Sequence, residues 1–133
     1  MPPVIFLDTS AIYALADFSD PNHRDAVTVF DRAQRGAENF LLHNYILVEA
    51  STLLQRRLGL ESALSFLQES ERFHVHWVRE QEHRQAEELL RQRGRRGLSL
   101  VDCVSFIVMR KEGVTQAVVF DADFEREGFQ LFR

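Results

Sequence analysis

Hydrophobic and polar positions divide the chain into two kinds of segment. Short runs of consecutive apolar residues are typical of strands that are buried on both faces of a parallel sheet. Longer segments carry apolar residues three or four positions apart, which is the spacing of an amphipathic helix. The short runs predict strands over residues 4–7, 40–42 and 117–120, the alternation of FHVHWV predicts one over 73–78, and residues 129–132 are predicted to form a last short strand.

The helical spacing fills most of the sequence between these strands, and residues typical of helix ends bound several of the segments. Pro21 suits a first helical turn, and Gly36 and Gly59 suit helix ends. Asn44 is predicted to cap the third helix, because its side-chain oxygen can accept from free backbone N–H groups. The predicted helices cover residues 9–16, 21–35, 44–57, 60–71, 80–93 and 99–109.

This alternation of short strands and helices indicates an α/β fold, because a helix is the usual connection between parallel strands. We predict a central, mostly parallel sheet of roughly four to five short strands, flanked by helices on both faces. The length of 133 residues predicts a single domain over 1–133. Ligands bind such folds at the carboxyl ends of the strands, so polar residues there are the first candidates for a site.

Five carboxylates follow or flank the predicted strand ends. Asp8 ends the first strand, and Asp121 and Asp123 follow the strand over 117–120. Glu49 lies early in the helix after the second strand, and Asp102 lies in the first turn of the apolar helix over 99–109. The predicted fold can bring all five to one end of the sheet.

Each acid also has a purely structural interpretation. Asp8 is a favoured cap for the next helix, and Asp102 completes a capping box with Ser99. Glu49 can be a buried or half-buried acid that pairs with an arginine such as Arg56. The two acids after the 117–120 strand can be ordinary turn residues.

Taken together, the acids favour a metal site. Carboxylates crowded at one edge repel each other, and a divalent cation removes that conflict. Oxygen-only ligands suit Mg²⁺ or Mn²⁺ rather than zinc. Cys103 is predicted to be a small buried side chain beside the site. The histidines are scattered and are predicted to lie at the surface: His23, His43, His74, His76 and His83.

Composition narrows the classes of function further. A net charge of -4 and a pI near 5.7 argue against wholesale binding of polyanions. No apolar run approaches the roughly 20 residues of a membrane helix, and the start of the chain, with Pro2 and Pro3, does not resemble a signal peptide. The single cysteine cannot form an internal disulfide, so we expect a protein of the reducing cytoplasm.

Four stretches occur in a characteristic order along nearly the whole chain: FLDTSA at 6–11, NYILVE at 44–49, LSLVD at 98–102 and FDADF at 120–124, with GF at 128–129 beyond. In these stretches the chain resembles the PIN-domain endoribonucleases, and more closely the VapC-type toxins of bacterial toxin–antitoxin pairs. The resemblance implies a PIN-like fold and metal-dependent hydrolysis of RNA phosphodiester bonds.

The resemblance also implies a catalytic acidic quartet that binds Mg²⁺, for which Mn²⁺ can substitute, as one or two ions. The matching residues here are Asp8, Glu49, Asp102 and Asp121.

Three further positions match the family less strictly. Asp123 matches a variable extra metal position, Ser10 matches a hydroxyl that supports the first Asp, and Asn44 matches a polar position near the site. Many members carry Thr or Ser two residues before the Asp that corresponds to Asp121, where this chain has Val119. That departure removes a hydroxyl contact but leaves the metal site.

The family further implies an RNA substrate, a homodimer and a small VapB-like antitoxin as partners. An acidic site repels an RNA backbone unless the metal and basic side chains offset its charge. One basic stretch leads directly into the helix that carries Asp102, and its alternative is a solvated helix end. The candidates for RNA contact in this stretch are Arg91, Arg93, Arg95 and Arg96.

Other classes of function fit the sequence less well. An Asp-dependent phosphatase needs a second acid two residues after the first, where this chain has Ser10. A receiver domain needs a lysine at a later strand end, whereas Lys111 lies on or just after a helix. A non-catalytic PIN-like module that binds RNA or protein is the remaining alternative, and it is disfavoured because the acids are all present.

Overall fold

A computed structural model describes residues 4–36 and 38–133, so Pro2 and Pro3 lie outside the described residues. Every predicted strand is present, with ends that differ by a few residues. The strands are β1 (Val4–Leu7), β2 (Asn39–His43), β3 (His74–His76), β4 (Gln116–Val118) and β5 (Gln130–Leu131).

The predicted helices are also confirmed, except that the second begins at His23, so Pro21 lies in the turn before it and does not open it. One short helix near the carboxyl terminus was not predicted. That helix is only one turn long, which is too short to show a period in the sequence. The helices are α1 (Thr9–Ala16), α2 (His23–Arg35), α3 (Asn44–Leu58), α4 (Leu60–Ser70), α5 (Glu80–Arg93), α6 (Leu100–Glu112) and α7 (Asp123–Arg126). None of the helices within 4–36 and 38–133 is long and apolar enough to cross a membrane.

The strands form one sheet in the order β3-β2-β1-β4-β5, and every pairing among the described strands is parallel. The central strand β1 lies between β2 and β4, with Phe6 opposite Leu41 on one side and Ala117 on the other. The chain leaves β1 towards β2, while β4 lies on the other side. The ends of β1 and β4 therefore flank a topological switch point, where parallel sheets open a crevice.

Helices cover both faces of the sheet. On one face Leu7 lies beside residues of α1, α2, α3 and α4. On the other face Phe6 packs against Phe124 and His43, and His43 bonds to Ser105 of α6. The apolar runs predicted as strands are buried for this reason, with Ile5, Phe6 and Leu7 at most 1% exposed.

The start of α3 corrects two predictions. His43, not Asn44, caps the helix, because its Nδ1 accepts a hydrogen bond from the N–H of Ile46 at 3.4 Å. The ring is fully buried rather than at the surface, and its Nε2 lies 2.9 Å from Ser105 Oγ. Burial, with a smaller effect of His76, lowers the pKa of His43 to about 3, so the ring is neutral.

A half-buried histidine lies at the end of β3. His76 was predicted to be exposed like His74, but only His74 is exposed. His76 Nε2 lies 2.8 Å from Glu82 Oε1, and its Nδ1 lies 3.4 Å from Glu112 Oε1. Lys111 Nζ lies 3.6 Å from Glu82 Oε2. We call His76, Glu82, Lys111 and Glu112 the histidine–glutamate network.

Candidate active site

An open cleft lies at the carboxyl ends of β1 and β4, at the switch point of the sheet. Its volume is about 670 Å³. Four of the predicted acids line it together: Asp8, Glu49, Asp102 and Asp121. The rest of the wall comes from the first turn of α1, from α3 and from the loop before α6: Thr9, Ser10, Val48, Thr52, Leu53, Arg56, Gly97 and Ser99.

Asp8 is both a helix cap and a member of the cleft. Its Oδ2 accepts from the N–H of Ser10 at 3.0 Å and from Ser10 Oγ at 2.7 Å. Burial raises the pKa of Asp8 to about 7, the bonds from Ser10 oppose that rise, and Asp102 and Glu49 add to it. The alternatives of cap and site residue therefore do not exclude each other, because Oδ1 is free of hydrogen bonds among the described residues.

Ser10 connects the two strands that flank the cleft. Its hydroxyl donates to Asp8 and accepts from the N–H of Phe120 at 3.0 Å. The backbone of Asp8 also donates to Val118 O at 3.2 Å. These bonds fix the end of β1 against the end of β4, where Asp8 and Asp121 both line the cleft.

Asp102, on α6, is likewise both part of a helix cap and a member of the cleft. Its Oδ2 accepts from the N–H of Ser99 at 3.0 Å, and Ser99 Oγ accepts from the N–H of Asp102 at 3.1 Å, which completes the predicted capping box. Burial raises the pKa of Asp102 despite these bonds, and Asp121 and Glu49 raise it further. The acids of the cleft therefore act on each other.

Asp121 and Asp123 form a turn after β4, as one of the structural alternatives predicted. Asp121 Oδ1 accepts from the N–H of Asp123 at 2.9 Å. Carboxylate oxygens of Asp102, Asp121 and Asp123 lie within 4.8 Å of one another, close enough to share a cation. Asp123 is buried, however, and its Oδ1 accepts from Arg95 Nη2 at 3.0 Å and Arg126 Nη1 at 3.1 Å.

Glu49 and Asn44 come from the same stretch of α3 and have different positions. Glu49 is exposed at the rim of the cleft, and within residues 4–36 and 38–133 it forms no ion pair with Arg56. Asn44 does not line the cleft. Its Oδ1 accepts a hydrogen bond from the N–H of Val78 at 2.6 Å. This bond connects the residues that follow β2 with those that follow β3, away from the cleft.

Two arginines of the basic stretch form ion pairs that the local sequence does not indicate. Arg91 pairs with Glu88 at 2.6 Å on the surface of α5. Arg93 donates through Nε and Nη2 to both oxygens of Glu127, at 2.7 and 3.0 Å. Arg96 is exposed. Arg93 is exposed at the end of α5, as the alternative of a solvated helix end predicted, but Glu127 engages its guanidinium.

Glu127 was not recognised from the sequence, because nothing near it in the chain marks it as buried. Hydrogen bonds from Arg93 and Arg110, opposed by burial, lower the pKa of Glu127 to about 2. Cys103 is buried as predicted, and burial raises its pKa to about 11, so it behaves as a small apolar side chain. Both residues lie on elements that carry the cleft without lining it.

The donor set of the cleft fits a hard divalent cation. Among the residues that the structure describes, its ionisable lining is four carboxylates and Arg56, without histidine or cysteine. Burial without a matching positive charge raises the pKa values of Asp8 and Asp102. Mg²⁺ and Mn²⁺ prefer oxygen ligands and would supply the missing charge.

Comparison with known proteins identifies the family. Residues 5–129 match the PIN domain. The chain belongs to the PIN-domain family. This PIN domain is 35% identical over 128 residues to the 23S rRNA-specific endonuclease VapC20 of Mycobacterium tuberculosis, and the match covers 95% of each chain. The family prediction made from the four sequence stretches is therefore confirmed.

Solved structures agree with this assignment. The crystal structure of VapC20, described as a toxin that cleaves the sarcin–ricin loop, superposes with a TM-score of 0.84 over 94% of this chain and 95% of that one. VapBC-1 from nontypeable Haemophilus influenzae matches at 13% identity with a TM-score of 0.67, over 96% of each chain. FitAcB from Neisseria gonorrhoeae matches at 15% identity with a TM-score of 0.63, over 97% and 96%. The last two support the fold alone.

Proposed function

We propose that this PIN domain is a metal-dependent endoribonuclease and the toxin of a toxin–antitoxin pair. The observation that carries the proposal is a cleft whose four carboxylates lie together at the switch point without a matching positive charge. The 35% identity to an rRNA-specific endonuclease over 95% of the chain supports RNA as the substrate.

In this proposal Asp8, Asp102 and Asp121 hold Mg²⁺, for which Mn²⁺ can substitute, as one or two ions. When bound, the cation supplies positive charge that polarises the phosphodiester and offsets charge on the departing 3′ oxygen. Glu49 orients the attacking water from the rim, because it is exposed and free of ion pairs among the described residues. Ser10 keeps Asp8 in place.

The substrate would reach the cleft along its basic margin. Arg56 lines the cleft, and Arg91 and Arg96 are exposed on the stretch that precedes α6. Arg93 is the weakest of the predicted RNA contacts, since Glu127 engages its guanidinium on two atoms. A structured ribosomal RNA is the first substrate to test, by analogy with VapC20.

The proposed partners follow from the relatives. The crystal structure of VapC20, 35% identical to this chain, is described as a toxin, which supports a small VapB-like antitoxin for this chain. A homodimer and a cytoplasmic location, where RNA and a reduced Cys103 occur together, complete the proposal. An Asp-dependent phosphatase is disfavoured further, because the hydroxyl of Ser10 stands where its second acid is needed and bonds to Asp8.

The test is cleavage of ribosomal RNA and of a structured RNA fragment in Mg²⁺ or Mn²⁺. We expect the wild type to cut at defined positions and Asp8→Asn and Asp102→Asn to lower the rate at least about 100-fold. Asp31→Asn is the matched control, because Asp31 is an exposed acid on α2 that pairs with Arg35. Full activity in both cleft variants would show that the assigned site is wrong.

A further inference from the structure

Asp123 differs from the other acids near the cleft in its partners. Asp8, Asp102 and Asp121 accept hydrogen bonds only from serines or backbone N–H groups among the described residues. Asp123 instead accepts from two guanidinium groups on one oxygen, those of Arg95 and Arg126. It is also the one predicted metal ligand that does not line the cleft in the described part of the chain.

These partners argue against direct metal ligation by Asp123. Its Oδ1 already lies 3.0 Å from Arg95 Nη2 and 3.1 Å from Arg126 Nη1. A divalent cation bound to the same carboxylate would lie close to both guanidinium groups, and like charges at that range repel strongly. The negative charge of Asp123 is therefore paired with Arg95 and Arg126. The acids without an arginine partner among the described residues remain available to bind the cation.

Arg95 is held from both sides in the loop between α5 and α6. Before it, Arg93 is fixed to Glu127 by two hydrogen bonds. After it, the N–H of Leu98 donates to Arg95 O at 3.2 Å. The same loop continues into Gly97, which lines the cleft. The guanidinium of Arg95 is thus fixed beside the site by the backbone as well as by Asp123.

Arg95 keeps hydrogen-bonding capacity for a ligand. Among residues 4–36 and 38–133 only its Nη2 is engaged, its Nε is buried without a partner, and its side chain is 36% exposed, which leaves Nη1 as the group for a ligand. A guanidinium held by a carboxylate on one edge can present its remaining N–H groups to a phosphate. The cluster of Asp102, Asp121 and Asp123 lies directly beside it, so such a phosphate would be next to the metal ligands.

We infer that Asp123 is a positioning residue, and that it orients Arg95 to bind an RNA phosphate beside the scissile bond. The inference rests on the proposed nuclease function and deepens it. It assigns Asp123 to the substrate rather than to the metal, and it separates Arg95 from the other arginines of the basic stretch.

The first test measures Mn²⁺ binding by calorimetry in the absence of RNA, with the full chain. We expect Asp123→Asn to stay within about 2-fold of the wild-type Kd and Asp102→Asn to weaken binding at least about 10-fold. Equal losses in the two variants would make Asp123 a ligand and overturn the inference. Wild-type affinity in Asp102→Asn would instead refute the metal site of the proposed function, and the inference with it.

The second test measures binding of a labelled ribosomal RNA hairpin by fluorescence anisotropy at several salt concentrations, with Ca²⁺ as the ion. Arg95→Gln should weaken binding about 10-fold and reduce the slope of log affinity against log salt by about one, as loss of one phosphate contact does. Asp123→Asn should weaken binding as well, and the double variant should bind no worse than Arg95→Gln.

Controls separate this role from a structural one. Arg35→Gln removes the same charge from an arginine that is also paired with an acid, on α2, and should leave the salt slope unchanged. Arg95→Lys should recover part of the affinity, because it restores the charge without the planar fork. The inference fails if Arg95→Gln behaves like Arg35→Gln, or if the effects of the two single variants simply add.

Discussion

Two clusters of ionisable side chains lie at the same edge of one sheet, and they solve the problem of buried charge in opposite ways. The acid cleft follows β1 and β4, and its acids have raised pKa values at Asp8 and Asp102. The histidine–glutamate network follows β3 and mixes charges of both signs. Burial alone would raise the pKa of Glu82, but bonds from Arg79 N–H and His76, with the charge of Lys111, lower it overall.

The surroundings of the acids differ as well. Glu82 lies inside its network with its side chain 3% exposed, whereas the acids of the cleft, including the buried Asp8, line an open space of about 670 Å³. The comparison teaches that acids alone do not mark a site at a sheet edge. Acids that lack a counter-charge and face an opening are better candidates, because perturbed pKa values cluster at functional sites.

The largest expected difference between the clusters is in catalysis. Asp121→Asn should lower the rate of RNA cleavage at least about 100-fold, because it removes a cleft carboxylate. Glu112→Gln removes an acid of the histidine–glutamate network and should leave the rate within about 2-fold. Rates are measured under single-turnover conditions with the same RNA. Comparable losses in both variants would abolish the distinction between the clusters.

A smaller effect concerns stability and pH in the absence of metal. The Asp8 carboxyl has a pKa of about 7 in the folded chain against 3.8 as the ordinary value, so the folded state holds its proton more tightly. That contribution to stability is complete below pH 3.8 and is lost as the pH rises towards 7. Asp8→Asn has no carboxyl at this position to titrate. Between pH 5 and pH 8 its free energy of unfolding should therefore rise by about 2 kcal/mol relative to that of the wild type.

The measurement is urea unfolding of both proteins at pH 5, 6.5 and 8 with a chelator present. His43 has the opposite dependence, because its pKa is lowered to about 3 and its contribution is lost as the pH falls below its ordinary 6.5. His43 is present in both proteins and cancels in the difference. A difference between the two proteins that does not change with pH would contradict the assignment of Asp8 as an uncompensated acid.

The smallest expected effect tests whether Asn44 lies outside the acid cleft. Asn44→Ala removes the bond to the N–H of Val78 at 2.6 Å and should lower the free energy of unfolding by about 1 kcal/mol. Because Asn44 lies on the side of β2 and β3, the cleavage rate per folded molecule should stay unchanged. Thermal unfolding and a cleavage assay check both parts. A large loss of activity with no loss of stability would show that Asn44 is part of the active site.

Much of the fold was predictable from the sequence, because its determinants are local. The apolar runs that became β1 and β4 are buried on both faces, and their composition alone indicates this. The acids of the cleft were predictable for a related reason, since Asp8 and Asp121 directly follow those strands. The carboxyl ends of parallel strands must meet at one edge of the sheet.

The remaining features depend on partners that are distant in the chain. His43 can be buried because its ring forms a hydrogen bond in the core with Ser105, 62 residues later. Asn44 is directed away from the cleft by Val78, and Asp123 is paired by Arg95, 28 residues earlier. A lone histidine, asparagine or aspartate has the same local sequence pattern with or without such a partner. Packing decides these roles, and the local pattern does not carry that information.

The most direct test of the central claim is the shift in Tm that Mg²⁺ produces at pH 7.5. A cation that binds the folded cleft stabilises it by about 2.7 kcal/mol at 100 times its Kd. We predict that Mg²⁺ raises the Tm of the wild type and of Glu82→Gln by similar amounts and does not raise that of Asp102→Asn. Equal shifts in all three proteins, or no shift in the wild type, would contradict the claim that the uncompensated acids of the cleft form a metal site.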